Sequence, residues 1–305
     1  MKIHVYTDIH PLFGAGAMVW VRTLLAAGHE VEYIDLGQQA EGALPSVGPC
    51  DVNIMVAGIY AFERFHKAGL PAHGRHLFWL LDPLTHDAAS SHHYKAGLVA
   101  ALAPRIDAVA AMDASVAAWL TQDHPRLYVE TLPYLVDERT ITPPLPEADR
   151  VHDILWIGSD NARRRHAAHL FAQAGLNAHF VVKPVWGAER DRLRREARIV
   201  LNIHADDRHT YFDQFRAFET WAAGSVVVAE HSQDLPSMGV IPGVHLAMAP
   251  LDELPALCLA LLPDAPRRQA MTSSAQAILR QAFTPQQRSA GMLALVARTA
   301  ALPTP

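Results

Sequence analysis

Val200-Leu-Asn-Ile-His204, Tyr211-Phe-Asp-Gln-Phe-Arg-Ala-Phe-Glu219 and Thr220-Trp-Ala-Ala-Gly224-Ser-Val-Val-Val-Ala-Glu230 follow one another with only six residues between the first two. The order reads as a buried strand, a polar loop, an amphipathic helix ended by a glycine, and a second apolar strand. Arg216 and Glu219 stand three residues apart near the start of the helix, so both project from one face. In open α/β sheets, ligands sit outside the carboxyl ends of the strands, where helix N-termini face them. A carboxylate there suits a sugar or ribose diol, and a neighbouring arginine suits a phosphate.

The same alternation extends outward from this stretch. Apolar strand patterns fall at residues 2–7, 30–34, 51–56, 76–81, 108–112 and 126–130, with helical patterns at 18–27, 61–67 and 114–120 and a loop over 11–16. The proline-rich segment 137–150 favours a stiff extended connection and marks a domain boundary. Beyond it the pattern restarts, with strands at 153–157, 179–182, 199–203 and 226–229 and helices at 163–174, 188–197 and 214–223. Closing helices read at 251–262, 266–281 and 285–301. Strands alternating with helices imply α/β architecture with parallel sheets. Two Rossmann-like doubly wound domains, 1–140 and 150–285, are expected to face each other across a cleft.

Phe215-Arg-x-Phe-Glu219-x-x-Ala-x-Gly224-x-Val-Val resembles the donor-site helix of the group 1 glycosyltransferases, which have the GT-B fold. The resemblance runs closest to bacterial spore-maturation-type members, where an arginine stands three residues before this glutamate. It implies that Glu219 binds the ribose of a nucleotide-sugar, with Phe215 and Arg216 in the same donor site. It also implies a terminal helix, 286–305, as a candidate to cross back onto the first domain, and it leans towards retention of anomeric configuration. The wider family often carries a second glutamate eight residues earlier; here that position is Tyr211.

Other motifs fall where such a site needs them. Gly158-Ser159-Asp-Asn161 lies between a strand and a helix bearing Arg163 and Arg164, a turn whose N–H groups and helix N-terminus suit a pyrophosphate. The resembled family usually has an arginine directly after this glycine. Here Ser159 stands there, so Arg163 or Arg164 would have to reach in; a plain turn with solvated arginines is the alternative. Lys183-Pro-Val-Trp186 ends the next strand, where main chain can hold a base and Lys183 can add charge, while Trp186 reads equally as a packed aromatic. Asn202 and His204 share a strand face and can bond a phosphate or hydroxyl, or His204 can be a satisfied core histidine.

In the first half, Asp8, His10, Gly14 and Gly16 follow the first strand as a loop that can approach a ligand. Asp82-Pro-Leu-Thr-His86-Asp87 ends an apolar strand. A carboxylate can orient or deprotonate an acceptor hydroxyl there, and a histidine can bond a sugar hydroxyl. Asp82, His86 and His10 are therefore the catalytic candidates, with Asp82 as a turn starter and Asp87 as a helix cap in the plainer reading.

Half of the 305 residues are hydrophobic and 19% are charged, ordinary for a globular protein. The net charge of −5 speaks against broad nucleic-acid affinity. Between Val151 and Val200, however, nine lysines and arginines face five acids. Cys50 and Cys258 read as buried thiols of a reducing compartment, no leader or membrane span is expected, and a cytoplasmic location follows. The 18 histidines have no metal-ligand spacing, and no Asp-x-Asp pair bridges a metal to a diphosphate. Sugar transfer from a nucleoside diphosphate donor to an unidentified acceptor, without metal or cofactor, is the expected function. Epimerisation or phosphorolysis on the same fold, or sugar-nucleotide binding without turnover, are the alternatives.

Overall fold

The computed structural model describes residues 1–7, 10–38, 43–85, 87–90, 92–208 and 210–303, and the side chains of these except 10–14, 57, 59 and 60. Two compact units result, one of residues 1–135 with 285–305, the other of residues 136–284.

The first unit holds β1 (Lys2–Thr7), α1 (His10–Ala26), β2 (Glu30–Asp35), β3 (Val52–Ala57), α2 (Ile59–Ala68), β4 (Arg75–Leu80), α3 (His93–Leu102), β5 (Ala108–Ala111), α4 (Ala114–Asp123) and β6 (Tyr128–Thr131). Its six strands pair in the order β2-β1-β3-β4-β5-β6, all parallel. Leu77 to Leu80 in β4 are all fully buried, as a strand covered on both faces requires. Asp113 caps α4 by accepting from the Ser115 and Val116 amides.

The loop expected over residues 11–16 is corrected: the chain is helical from His10, one residue ahead of Pro11. Proline is well tolerated in a first helical turn, where its missing N–H has no partner to lose. Gly16 is there for space, since a Cβ would come within 3.2 Å of the Trp79 ring. A helix at 93–102, α3, was also not legible from the periodicity.

The second unit holds β7 (His152–Ile157), α5 (Ala162–Gln173), β8 (Ala178–Val181), α6 (Gly187–Arg195), β9 (Ala197–Asn202), α7 (Gln214–Ala222), β10 (Val226–Glu230), β11 (Ala247–Ala249), α8 (Leu254–Leu261) and α9 (Ala265–Ala282). The last helix, α10 (Pro285–Ala300), belongs to the first unit and packs there on α1, β3 and β4. The second sheet runs β11-β10-β9-β7-β8, again parallel throughout. Phe171 of α5, Cys258 of α8 and Met271 of α9 close one face; Leu193 of α6 packs on the other. No described helix is long and apolar enough to cross a membrane.

Arg150 fixes the chain entering β7. Its buried guanidinium donates to the carbonyls of Ala197 and Gly224 and to the Ser225 hydroxyl, filling acceptors that would otherwise be stranded. Gly224 ends α7 at φ +84°, and a Cβ on it would lie 2.7 Å from Cα of Pro144. Gly175 has a similar φ of +70° with nothing within 4 Å of its Cβ position. Gly224→Ala should therefore cost about 2–4 kcal/mol, combining left-handed strain with overpacking, against roughly 1–2 kcal/mol for Gly175→Ala, which has the strain alone. Urea unfolding of the two variants checks this; equal losses would refute the clash.

Candidate functional site

In the second unit β7 and β9 are neighbours, and their carboxyl ends carry the groups that matter. Gly158 directly follows β7 and donates its N–H to the Val181 carbonyl at 3.1 Å. A Cβ there would meet the Trp156 ring at 2.7 Å and Arg216 Nη2 at 3.3 Å, so only glycine lets the turn close over both. Asn161 caps α5, its Oδ1 accepting from the Arg164 amide at 2.8 Å while its Nδ2 donates to the Ala205 carbonyl at 2.9 Å.

Arg164 is buried and folds back, donating to Ser159 O at 2.9 Å and Ser159 Oγ at 2.7 Å. Its guanidinium lies 5.0 Å from the Trp156 ring centroid, and that of Arg216 lies 6.0 Å from the same ring. Arg216 leaves the first turn of α7, donating to Asn202 Oδ1 at 3.0 Å and to the Ile157 carbonyl at 3.3 Å. It also pairs with Asp213 at 2.8 Å, and Asp213 caps the same helix through the Arg216 amide at 2.9 Å. Gly158, Ser159, Arg164, Asn202 and Arg216 thus come together, with Asn161 beside them.

The electrostatics reflect two cations in one desolvated place. Burial and then the Arg216 charge pull Arg164 down to about 10, so it remains a cation at neutral pH but an ill-compensated one. Desolvation opposes ionisation of Asp213, but the Arg216 charge and its amide outweigh it and hold the carboxyl below its ordinary value.

Arg163 is placed differently. It forks onto the buried carboxylate of Glu230 at the end of β10, with Nη1 to Oε2 at 2.6 Å and Nη2 to Oε1. The His204 amide donates to the same carboxylate at 2.7 Å. His204 Nε2 lies 3.0 Å from the His231 carbonyl, which requires the Nε2–H tautomer, and burial keeps the ring below its ordinary value.

Glu219 sits on the second turn of α7, held by Arg194 and, at 3.1 Å, by Arg190. These arginines stand four apart on one face of α6, and both are buried. Arg190 also covers the Phe215 ring at 4.8 Å and the Trp186 ring at 5.7 Å. Lys183 is exposed beyond the end of β8. Sequence reading missed Trp156, Asp213, Glu230, Arg190 and Arg194. Asp213 was visible as an N-cap, and the Arg190–Arg194 spacing as a helix-face pair; nothing in the sequence marked the Trp156 ring as a floor.

In the first unit, Asp82 pairs with the buried Lys95 at 2.6 Å. Asp87 accepts from the Ala89 amide at 2.9 Å in a local turn. His10 opens α1, Gly14 and Gly16 lie within it, and Asp8 and His86 lie outside the described residues. Among the described residues no group of three His, Cys, Asp or Glu side chains is placed to hold a metal ion.

Residues 153–294 match the family model described as glycosyl transferase-like. A curated relative, uncharacterized protein L140 of Acanthamoeba polyphaga mimivirus, is 29% identical over 87 residues, which span 28% of this chain and 28% of that protein. Among solved structures, sucrose-phosphate synthase of Thermosynechococcus elongatus superposes with a TM-score of 0.64 at 14% identity, over 98% of this chain and 99% of that one. Anabaena Alr3699/HepE, in complex with UDP and glucose, gives a TM-score of 0.67 at 14% identity, over 98% of this chain and 100% of that one. At such identities the structures speak for the fold, and the family match speaks for most of the second unit and the start of α10. The chain has the GT-B fold, and its residues 153–294 match a glycosyl transferase-like family model.

Proposed function

We propose that this chain transfers a sugar from a nucleoside diphosphate donor to an acceptor, with the donor nucleotide held by the second unit and the acceptor by the first. The observation that carries the reading is the convergence of Arg164 and Arg216 over one indole ring beside the Gly158 turn. Two cations held together at partial desolvation favour an anion between or beside them, and the α5 N-terminus adds to the same potential. A diphosphate meets that demand. Its charge rises as the glycosidic bond breaks, so fixed cations stabilise the leaving group most in the transition state. In this reading no metal is required, since the guanidinium groups neutralise the diphosphate.

Glu219 is assigned to the ribose. Two buried arginines fix its direction, and a carboxylate accepts from both hydroxyls of a diol. Asp82, His86 and His10 remain the proposed acceptor-side groups. The glycosyl transferase-like match favours transfer over epimerisation, phosphorolysis or binding without turnover.

A thermal-shift screen of nucleoside diphosphates and their sugars tests the donor assignment. A specific ligand at about 100-fold above its Kd should stabilise the fold by about 2.7 kcal/mol; a screen in which none does would sink the reading. Glu219→Gln should weaken binding of the stabilising nucleotide by roughly 1–3 kcal/mol, read by calorimetry. An unchanged Kd would remove Glu219 from the ribose. Arg216→Ala should lower kcat by more than it raises the donor Kd, because the extra charge develops only in the transition state. Arg216→Lys should restore little, since one ammonium cannot span the Ile157, Asn202 and Asp213 contacts. Normal turnover in Arg216→Ala is the outcome that excludes this role.

A further inference from the structure

In the first sheet β1 lies between β2 and β3, so the chain connecting those two strands passes over β1. Parallel crossovers usually carry a helix that fills the space above the sheet. Of this one's described residues, Leu36–Gln38 form a single 3-10 turn and residues 43–50 are neither helix nor strand. Beneath it lies a cavity of about 330 Å³, closed by residues 44–48 and 70–73 and floored by His4, Tyr6 and Asn53. Those segments lead into the amino ends of β3 and β4, away from the carboxyl ends where open α/β sheets hold their ligands.

The floor has polar groups with nothing to bond. His4 is 0% exposed and neither ring nitrogen has a hydrogen-bond partner. Glu32 comes within 3.2 Å of its Nε2 but outside hydrogen-bonding geometry. Tyr6 is 1% exposed and its hydroxyl is likewise unpartnered. Asn53, by contrast, is satisfied by the wall: Nδ2 donates to the His73 carbonyl at 2.6 Å and Oδ1 accepts from Cys50 Sγ at 3.3 Å. Buried polar groups left without partners are rare enough in folded proteins to require an explanation.

We propose that this cavity binds an uncharged, polyhydroxylated ligand about the size of one sugar ring. Its hydroxyls would bond His4 and Tyr6, and its C–H face would lie on Leu44, Val47 and Leu70. The floor itself carries no charge. Burial holds His4 below its ordinary value and the Tyr6 phenol above its own, so both are neutral at pH 7. Of the charged groups acting on His4, Glu32 and Glu30 are acids and Lys2 a base, a net negative surrounding that disfavours an anion. A fully apolar guest would leave the imidazole and the hydroxyl as they are. Ligand pockets of this size, largely apolar with a few placed polar groups, are common in proteins. The site is independent of the donor assignment, whose residues all lie in the second unit.

Calorimetry and saturation-transfer NMR on the full chain, with glucose, galactose, mannose and N-acetylglucosamine as probes, test the proposal. Expected is saturable binding of at least one monosaccharide, weakened tenfold or more in Tyr6→Phe and in His4→Leu, and retained in Arg216→Ala. The proposal is overturned by no saturable binding in the wild-type protein, by wild-type affinity in Tyr6→Phe, or by loss of the signal in Arg216→Ala. Should either first-unit variant melt early, a crystal structure of the wild-type protein soaked in the binding sugar decides. Ring density beside His4 and Tyr6 supports the site, and water alone there overturns it.

Discussion

One guanidinium ties together the carboxyl ends of the second unit's central strands. Parallel strands finish with backbone carbonyls that have no further strand to meet, and such groups need a donor. Arg216 supplies one to Ile157 at the end of β7, bonds Asn202 at the end of β9, and pairs with Asp213, which caps its own helix. Three elements are thereby locked to one side chain. The neighbouring choices follow from that lock. Gly158 must lack a Cβ because Arg216 and the Trp156 ring occupy its space. The ring in turn gives Arg164 and Arg216 a flat face to rest on where water is partly excluded.

The surplus of basic residues between 151 and 200 looks, in the sequence, like a broad cationic field. Folding reduces it to a few positions. Arg163 is taken by Glu230, Arg165 by Asp160, Arg192 by Glu196, Arg198 by Asp153, and both Arg190 and Arg194 by Glu219. Arg164, Lys183 and Arg195 are those of the nine with no carboxylate within salt-bridge distance among the described residues. Of these, Arg164 is the one beside the Gly158 turn, where burial first and the Arg216 charge second lower its pKa. Composition marked the basic segment; the identity of the uncompensated cation depended on pairs 4 to 67 residues apart, four of the six spanning 25 residues or more.

What the sequence made legible is what local periodicity encodes. The restart of the strand–helix pattern after residue 150, the strand before Gly158 and the Arg216–Glu219 helix could all be read because their spacing is short-range. Residues 11–16 were misread as a loop since a proline and two glycines fall within six residues, while the actual reason for Gly16 is the Trp79 ring 63 positions away. Glu219 shows the same limit. Its place on the helix face was plain, but its two arginine partners come from a different helix, and no pattern within α7 announces them.

Tyr211 is where this chain departs from the pattern it resembles, and the structure shows what surrounds that position. The next residue, Phe212, is buried against Phe218 and Trp221, and its amide donates to Asp234 Oδ1 at 2.9 Å. Aromatic packing and a backbone hydrogen bond therefore anchor the segment entering α7. The acid at the end of β10, Glu230, is already shared between the Arg163 fork and the His204 amide. Freeing it would break the bond of a buried carboxylate to a partly buried arginine, a change that typically costs several kcal/mol when both partners are buried. A free carboxylate in this segment is thus neither supplied at 211 nor cheaply borrowed from 230, and the balance at this end of the second unit shifts towards its cations.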